Sequence, residues 1–309
     1  MLFRSAKIIS KIIIDEAHLV YTEKSFRDSF TVLKTLARFG VPLLLLSGSL
    51  PNALVLPLLR WMNLTDDRSA SEVHTIFDDN LVGDFIDFNV HFIQNPVDCA
   101  VRQIREMMGE AGSVHVVCSN LEEVKRVCDG VKNYERSVAS LTSADLREDK
   151  REVTAKWFQG HLRVLVSTTC ALAGVESSNL RKLVLVGHVY SLLNLLQFRG
   201  RLRPSNLAKG GVEMAVYLSP RRVKVEDSDQ ILWGSLLGDR LLKDEQRKFF
   251  DESLSGAALQ NFFFSPGVCR NRNLARIFGS RAANKCGKCD ICLKCPVVNS
   301  HIRIDPKYD

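Results

Sequence analysis

An α/β fold built on parallel sheets, followed by a small helical region rich in cysteine, is predicted for this 309-residue chain by three observations. Wholly apolar runs end in small or acidic residues, as the exits of buried parallel strands do. Those runs alternate with segments of about ten to fifteen residues whose apolar positions recur at helical spacing, the pattern of a parallel α/β sheet. After Ser219 the alternation stops, and five of the nine cysteines lie between Cys269 and Cys295.

The elements follow in order. Ile8 to Ile14 reads as a strand ending in Asp15 and Glu16, Phe26 to Phe39 as a helix, and Val41 to Leu46 as a strand ending in Ser47-Gly48-Ser49. Asn63 to Asp87 is polar and aperiodic and reads as a connection. A second unit opens with a strand at Asn89 to Ile93, a helix at Cys99 to Met108 and a strand at Ser113 to Cys118. It continues with a helix at Leu121 to Val131, a short strand at Ser137 to Leu141 and a helix at Leu146 to Phe158. Strands at Arg163 to Ser167 and Lys182 to Gly187 complete it. In such sheets ligands gather at the carboxyl ends of the strands, where the chemistry-bearing residues below fall.

Composition narrows the partners. With 46% hydrophobic and 25% charged residues the chain has the make-up of a soluble globular protein. No apolar stretch approaches the roughly 18 residues of a membrane span, and the amino-terminal residues lack the form of a signal peptide. The formal charge of +7 favours a polyanion without proving one. Basic residues cluster at Arg199, Arg201 and Arg203, at Arg221, Arg222 and Lys224, and between Arg270 and Lys294. Cys99, Cys118, Cys128 and Cys170 sit in apolar contexts and read as buried thiols.

Four segments carry chemistry. Asp15-Glu16-Ala17-His18 closes an apolar strand: one carboxylate there can hold Mg²⁺ and the next can polarise a water, although acidic residues also cap strands and helices. Val164 to Glu176 is a strand followed by hydroxyls and a glycine, fit for phosphate oxygens but also for an ordinary strand-to-helix loop. Gln197-Phe-Arg-Gly200-Arg201-Leu-Arg203-Pro204 is an arginine-rich helix end, either generic or aimed at a phosphate. Cys269, Cys286, Cys289 and Cys292 are spaced C-x16-C-x2-C-x2-C, with Cys295 a spare. Four thiolates so placed form a closed tetrahedral site that suits structural Zn²⁺ and leaves no open catalytic position. The flanking Arg270, Arg272, Arg276, Arg281, Lys285 and Lys288 form either a DNA-backbone surface or a solvated helix face.

Taken in order, Asp15 to His18, the Ser47-Gly48-Ser49 turn, Val164 to Glu176 and Gln197 to Pro204 resemble motifs II, III, V and VI of superfamily 2 helicases, and the RecQ group most, particularly its fungal telomere-linked members. Ser140 to Leu146 resembles the motif that follows IV, and "CGKCDIC" the RecQ zinc-binding region, which favours Cys292 over Cys295. The resemblance runs from about residue 8 to 295. It implies two RecA-like units, the first incomplete, over residues 1–85 and 86–222, a zinc-binding domain over 223–296 and a tail over 297–309.

It also implies an ATP-dependent 3′–5′ DNA helicase acting on single-stranded or forked DNA in the nucleus. Asp15, Glu16, His18, Gln197, Arg201 and Arg203 would be catalytic. Asp15, Glu16, Gly174 and Glu176 would hold ATP and Mg²⁺, and Phe26, Arg27, Thr142, Ser143 and Thr168 would touch nucleic acid. The chain departs from the pattern in three places. The tryptophan and histidine usual after the DEAH box are absent, Leu172 replaces a glycine, and Arg203-Pro204 replaces a Gly-Arg pair. No G-x-x-x-x-G-K-[ST] phosphate loop occurs in the 309 residues. The expectation is therefore a chain that alone binds ATP poorly and does not unwind DNA, with strand edges such as Ile8 to Ile14 unpaired. A non-catalytic zinc-stabilised DNA-binding module and a decayed helicase copy are the alternatives. The sequence does not specify an oligomeric state.

Overall fold

The computed structural model describes residues 9–20, 28–64, 74–76, 85–169, 177, 179–187, 189, 191–203, 211–219, 256–265, 267–280 and 285–293. The chain divides into two compact units, one of residues 1–81, 225–261 and 275–281, the other of 82–224, 262–274 and 282–309.

In the first unit, β1 (Ile12–Ile14) and β2 (Leu43–Leu45) form a parallel pair in the register Ile12↔Leu43 to Ile14↔Leu45. The expected unpaired edge is thus partly filled, because two triads of branched aliphatic residues fit side by side in the pleat. Between them, Asp28–Phe39 forms a 3-10 helix, where the sequence predicts a helix from Phe26. After β2, α1 (Val55–Trp61) buries Pro57, Leu58, Leu59 and Trp61. One face of the pair stays open, with Ile13 53% and Leu44 48% exposed.

The second unit is a six-stranded, wholly parallel sheet in the order β3-β8-β7-β4-β6-β5. Its strands are β3 (Ile86–Phe92), β4 (Ser113–Cys118), β5 (Val138–Leu141), β6 (Val164–Ser167), β7 (Leu180–Gly187) and β8 (Val212–Leu218). Its helices are α2 (Pro96–Glu106), α3 (Leu121–Lys132), α4 (Arg147–Phe158) and α5 (Leu192–Arg199). Pro96 opens α2, where its missing N–H costs nothing. The Asn120 side chain caps α3 by accepting from the Glu123 amide at 2.9 Å, while Glu123 accepts from the Ser119 amide at 3.0 Å. Ser191 caps α5 through the Asn194 amide.

Burial follows the alternation of the strands. Val114, Val116 and Cys118 of β4 join Val164, Val166, Val184, Val186, Ala215 and Tyr217 in a core closed by Val97, Ala100 and Ile104 of α2 and Val124, Val127 and Val131 of α3. The strand β8 is not anticipated by the sequence analysis, yet it pairs with both β3 and β7. Cys118 and Cys128 are buried thiols as expected, pushed up by that burial, Cys128 to about 11. Cys99 is half-buried, and Cys170 lies outside the described residues. No helix among the described residues is long and apolar enough to cross a membrane.

Three further helical segments carry the cysteine region: α6 (Gly256–Phe264), α7 (Arg270–Phe278) and the single turn α8 (Asp290–Leu293). Within the second unit, the Phe88 amide of edge strand β3 donates to the Lys288 carbonyl at 3.0 Å, and Phe88 forms a parallel bridge with Cys289. The cysteine loop therefore prolongs the sheet beyond β3 and occupies backbone groups an edge would leave open.

Candidate functional site

The acidic strand end lies in the first unit. The parallel register of β1 and β2 delivers the DEAH loop and the Ser-Gly-Ser turn side by side, with the Ala17 amide donating to the Leu46 carbonyl at 2.8 Å. His18 is fully buried there, and its Nδ1 lies 2.8 Å from the Ser47 hydroxyl. Ser47 Oγ also accepts from the Ser49 amide at 3.2 Å. Burial lowers the His18 pKa to about 4, against a smaller opposing pull from Asp15, so the imidazole is neutral at physiological pH. Its 3.4 Å approach to Glu16 Oε2 is accordingly a contact between a neutral ring and a carboxylate. Glu16 adopts a left-handed backbone, φ 51°, a conformation uncommon outside glycine and frequent at functional turns. Asp15 stays exposed and accepts the Glu16 amide. An exposed and a half-exposed carboxylate beside a buried neutral histidine can hold a hydrated cation and orient a water. Phe26 and Arg27 lie outside the described residues.

In the second unit, Leu141 pairs with Ser167, so Thr142 and Thr168 leave adjacent strand ends. The Thr142 amide donates to the Asp145 carboxylate at 2.5 Å, and Lys150 Nζ to the Ser143 carbonyl at 2.9 Å, which shape a hydroxyl-bearing loop. Ser143 is exposed and Thr168 half-buried. Hydroxyls at strand exits with a lysine alongside suit phosphate oxygens. Gln197 lies on α5, while Arg201 and Arg203 follow it in a turn. That turn is held by the Gly200, Arg201 and Leu202 amides, which donate to the Leu196, Phe198 and Arg199 carbonyls. Arg203 is exposed and Arg201 half-buried. Gly174 and Glu176 lie outside the described residues, as do Leu172 and Pro204.

Sequence reasoning passed over a histidine in this unit. His115, within the apolar run of β4, sets its Nε2 2.8 Å from the Ser167 hydroxyl, with its ring 5.9 Å from that of Trp157. Burial, and secondarily the Arg201 charge, lower its pKa to about 3. A polar residue inside a wholly buried strand was the available signal.

The four cysteines converge. The sulfurs of Cys269, Cys286, Cys289 and Cys292 all lie within 4.8 Å of one another, with Cys286–Cys292 and Cys269–Cys289 both at 3.9 Å. A tetrahedron of metal–sulfur bonds near 2.3 Å has edges of about 3.8 Å, so these spacings fit a shared cation and are far too long for disulfides. Gly287 takes φ 67°, the left-handed turn a Cys-x-x-Cys loop needs, and this aims the Lys288 amide at Cys286 Sγ, 3.4 Å away. Such an N–H stabilises a thiolate. Behind the ligands, Arg270 forms a two-pronged buried pair with Asp290, at 2.7 and 2.8 Å, and donates to the Phe262 carbonyl at 2.7 Å. That pair fixes the helix starting after Cys269 against the turn holding Cys289 and Cys292. Cys295 lies outside the described residues.

Residues 98–204 match the helicase conserved C-terminal domain. The ATP-dependent DNA helicase RecQ of Pasteurella multocida (strain Pm70) is 25% identical over 296 residues, covering 93% of this chain and 42% of that protein. Its counterpart from Haemophilus influenzae is 24% identical over 295 residues, covering 92% and 43%. The chain thus spans less than half the length of these relatives. Among solved structures, the DUF1998 helicase MrfA bound to DNA and AMPPNP superposes with a TM-score of 0.51 at 17% identity, over 73% of this chain and 32% of that one. Mycobacterium smegmatis Lhr bound to single-stranded DNA and AMP-PNP gives 0.52 at 16% identity, over 76% and 31%. The DEAD-box helicase Mss116 bound to single-stranded RNA gives 0.54 at 15% identity, over 78% and 53%. These establish the fold, and the chain is similar to the C-terminal part of RecQ-like superfamily 2 helicases.

Proposed function

We propose that this chain, which carries a helicase C-terminal domain, is the nucleic-acid-engaging part of an ATP-dependent 3′–5′ DNA helicase of the RecQ type, and that alone it binds DNA without turning over ATP. The observation that carries the reading is the convergence of the four thiols on the edge of the parallel sheet, in a C-x16-C-x2-C-x2-C pattern that resembles the RecQ zinc-binding region. Zn²⁺ is the cation that four soft thiolates in a closed tetrahedron select. Its part is structural: it neutralises the thiolates and ties Cys269 to the Cys286–Cys292 turn.

The chain's own residues divide the remaining work. Ser143 and Thr168 present hydroxyls to phosphate oxygens, while Thr142, buried and with its amide held by Asp145, shapes the loop beneath them; such contacts position a strand without reading its sequence. Arg270 is locked to Asp290 and leaves Arg272 and Arg276, both exposed, to face the polyanion. In a nucleotide-loaded motor, Mg²⁺-bound ATP supplies the phosphoryl group whose hydrolysis drives movement. Asp15 would hold the hydrated cation, Glu16 would polarise the attacking water, and Arg201 would offset charge on the outermost phosphate. His18, neutral and bonded to Ser47, joins the two loops of that half-site. A non-catalytic, zinc-stabilised DNA-binding module is the second reading, and it rests on the cysteine cluster and the exposed Arg272 and Arg276 alone.

Fluorescence anisotropy with single-stranded and forked DNA, alongside an ATPase assay, tests both readings. Nucleotide-independent binding that weakens steeply with salt, without ATP turnover, is expected; each phosphate contact contributes a log–log slope of about 0.7 to 0.9. Steady DNA-stimulated ATP hydrolysis would overturn inactivity of the isolated chain. No binding at low salt would leave only the decayed copy.

A further inference from the structure

We infer that Phe88 is a positioning residue that ties the turn bearing Arg201 to the cysteine cluster, so that metal loss loosens that turn. The inference rests on reading the cluster as a metal site. Four contacts converge on this one residue, two on its backbone and two on its ring, and it is fully buried on edge strand β3. On the backbone side, the Phe88 amide is held by Lys288 and bridged to Cys289, one residue beyond and at a metal ligand. On the ring side, Phe88 stacks on Phe262 with centroids 6.1 Å apart. Phe262 in turn gives its carbonyl to Arg270, the residue after the ligand Cys269. The cluster thus grips Phe88 through both of its sequence segments.

The same ring faces α5. The guanidinium carbon of Arg199 lies 5.7 Å from the Phe88 ring centroid, and Arg199 is only 2% exposed. A desolvated cation over an aromatic face is held more firmly than an exposed one. Arg199 is also the last residue of α5, and its carbonyl accepts the Leu202 amide at 3.0 Å, while the Arg201 amide donates to Phe198 at 3.0 Å. A shift of Arg199 therefore moves the Arg201 backbone directly, through bonds within one helical turn. Neither the zinc spacing nor the arginine motif requires Phe88, because its role comes from the strand order that makes β3 an edge.

Hydrogen exchange on the full chain tests this in three forms: zinc-loaded wild type, wild type stripped by a chelator, and zinc-loaded Phe88→Leu, which keeps apolar bulk and removes the ring. Zinc content is measured for each. Stripping is expected to speed exchange of the Gly200, Arg201 and Leu202 amides by about thirtyfold, the size of one lost desolvated cation–ring contact. Amides of β5 and β6, at the opposite side of the sheet, should stay unchanged. Phe88→Leu should show the same local rise with zinc retained, which a purely structural effect through metal loss would not produce. Unchanged exchange at 200–202 after confirmed zinc removal overturns the inference and leaves the metal reading intact. A uniform rise through β4, β5 and β6 also overturns it, since that is unfolding and not a route. Phe88→Leu indistinguishable from wild type removes the ring from the mechanism. Absence of any bound zinc in the wild type defeats the metal reading itself, and the inference with it.

Discussion

Replacing His115 by glutamine should flatten the acid sensitivity of the second unit. Burial, with a smaller contribution from Arg201, lowers the folded-state pKa of His115 to about 3 from 6.5. Above pH 6.5 the imidazole is neutral in both states and the titration contributes nothing. As pH falls below 6.5, the unfolded chain gains a proton that the folded chain refuses, so stability declines until the folded pKa near 3 is reached. Between pH 7 and pH 5 that difference amounts to about 2 kcal/mol, at about 1.4 kcal/mol for each pH unit below the unfolded value. Glutamine can still bond the Ser167 hydroxyl but cannot titrate. Urea unfolding of both proteins at pH 7 and pH 5, followed by tryptophan fluorescence, measures the contrast. Wild type should lose about 2 kcal/mol more than His115→Gln over that interval. His18 and His91, whose burial also lowers their pKa values, are common to both proteins and cancel in the comparison. Equal losses would show that His115 accepts its proton in the folded state, and would refute the assignment of a buried neutral ring.

Asp290→Ala should destabilise the second unit by about 3 to 5 kcal/mol, because it strands the Arg270 guanidinium in a site where both partners are nearly inaccessible. The double replacement Arg270→Met with Asp290→Leu should cost much less, and thermal melts of the two variants that coincide would contradict this account. Gly187→Ala should also destabilise, by more than about 1 kcal/mol. The backbone there has φ 92°, and an added Cβ would collide with the Ser119 hydroxyl and come 2.7 Å from a Glu123 carboxylate oxygen. A melting temperature matching wild type would show that the β4 and β7 exits can separate freely.

The parts of this structure legible in the sequence were those fixed by local pattern. Runs such as Val164–Ser167 read as buried strands because both faces are covered, and the structure buries all four residues. The cysteine spacing predicted convergence of sulfurs, since a two-residue gap closes a turn whatever surrounds it. Partners set by strand order stayed hidden. His18 and Ser47 are 29 positions apart and meet only through the β1–β2 register. Val212–Leu218 carries Glu213 among its apolar residues, which blurred the strand pattern, yet Glu213 is satisfied by the buried Lys182 ammonium at 2.9 Å. That pairing exists only because β8 lies next to β7. The docking of the cysteine loop was hidden for a different reason. It uses the backbone N–H of Phe88 and the carbonyl of Lys288, groups every non-proline residue owns, so no side-chain signature marks them.

That backbone docking bears on what the metal contributes. Of the sheet's two outer strands, β3 is the longer, and in isolation it would present a row of unpaired donors and acceptors along its free side. The loop from Lys288 to Cys289 covers part of that row, and the Asp87–Lys288 ion pair at 3.3 Å adds only weakly because both groups are partly exposed. What keeps the loop in place is the convergence of its cysteines, together with the buried Arg270–Asp290 pair. A metal held there therefore acts on the fold of the parallel sheet as well as on any nucleic acid the basic helix meets. A surface module joined to the unit by a linker alone could lose its metal and leave the sheet intact. Here loss of the metal would uncover the β3 edge and release the ring beneath Arg199, so one event would promote both self-association and a change at the arginine turn.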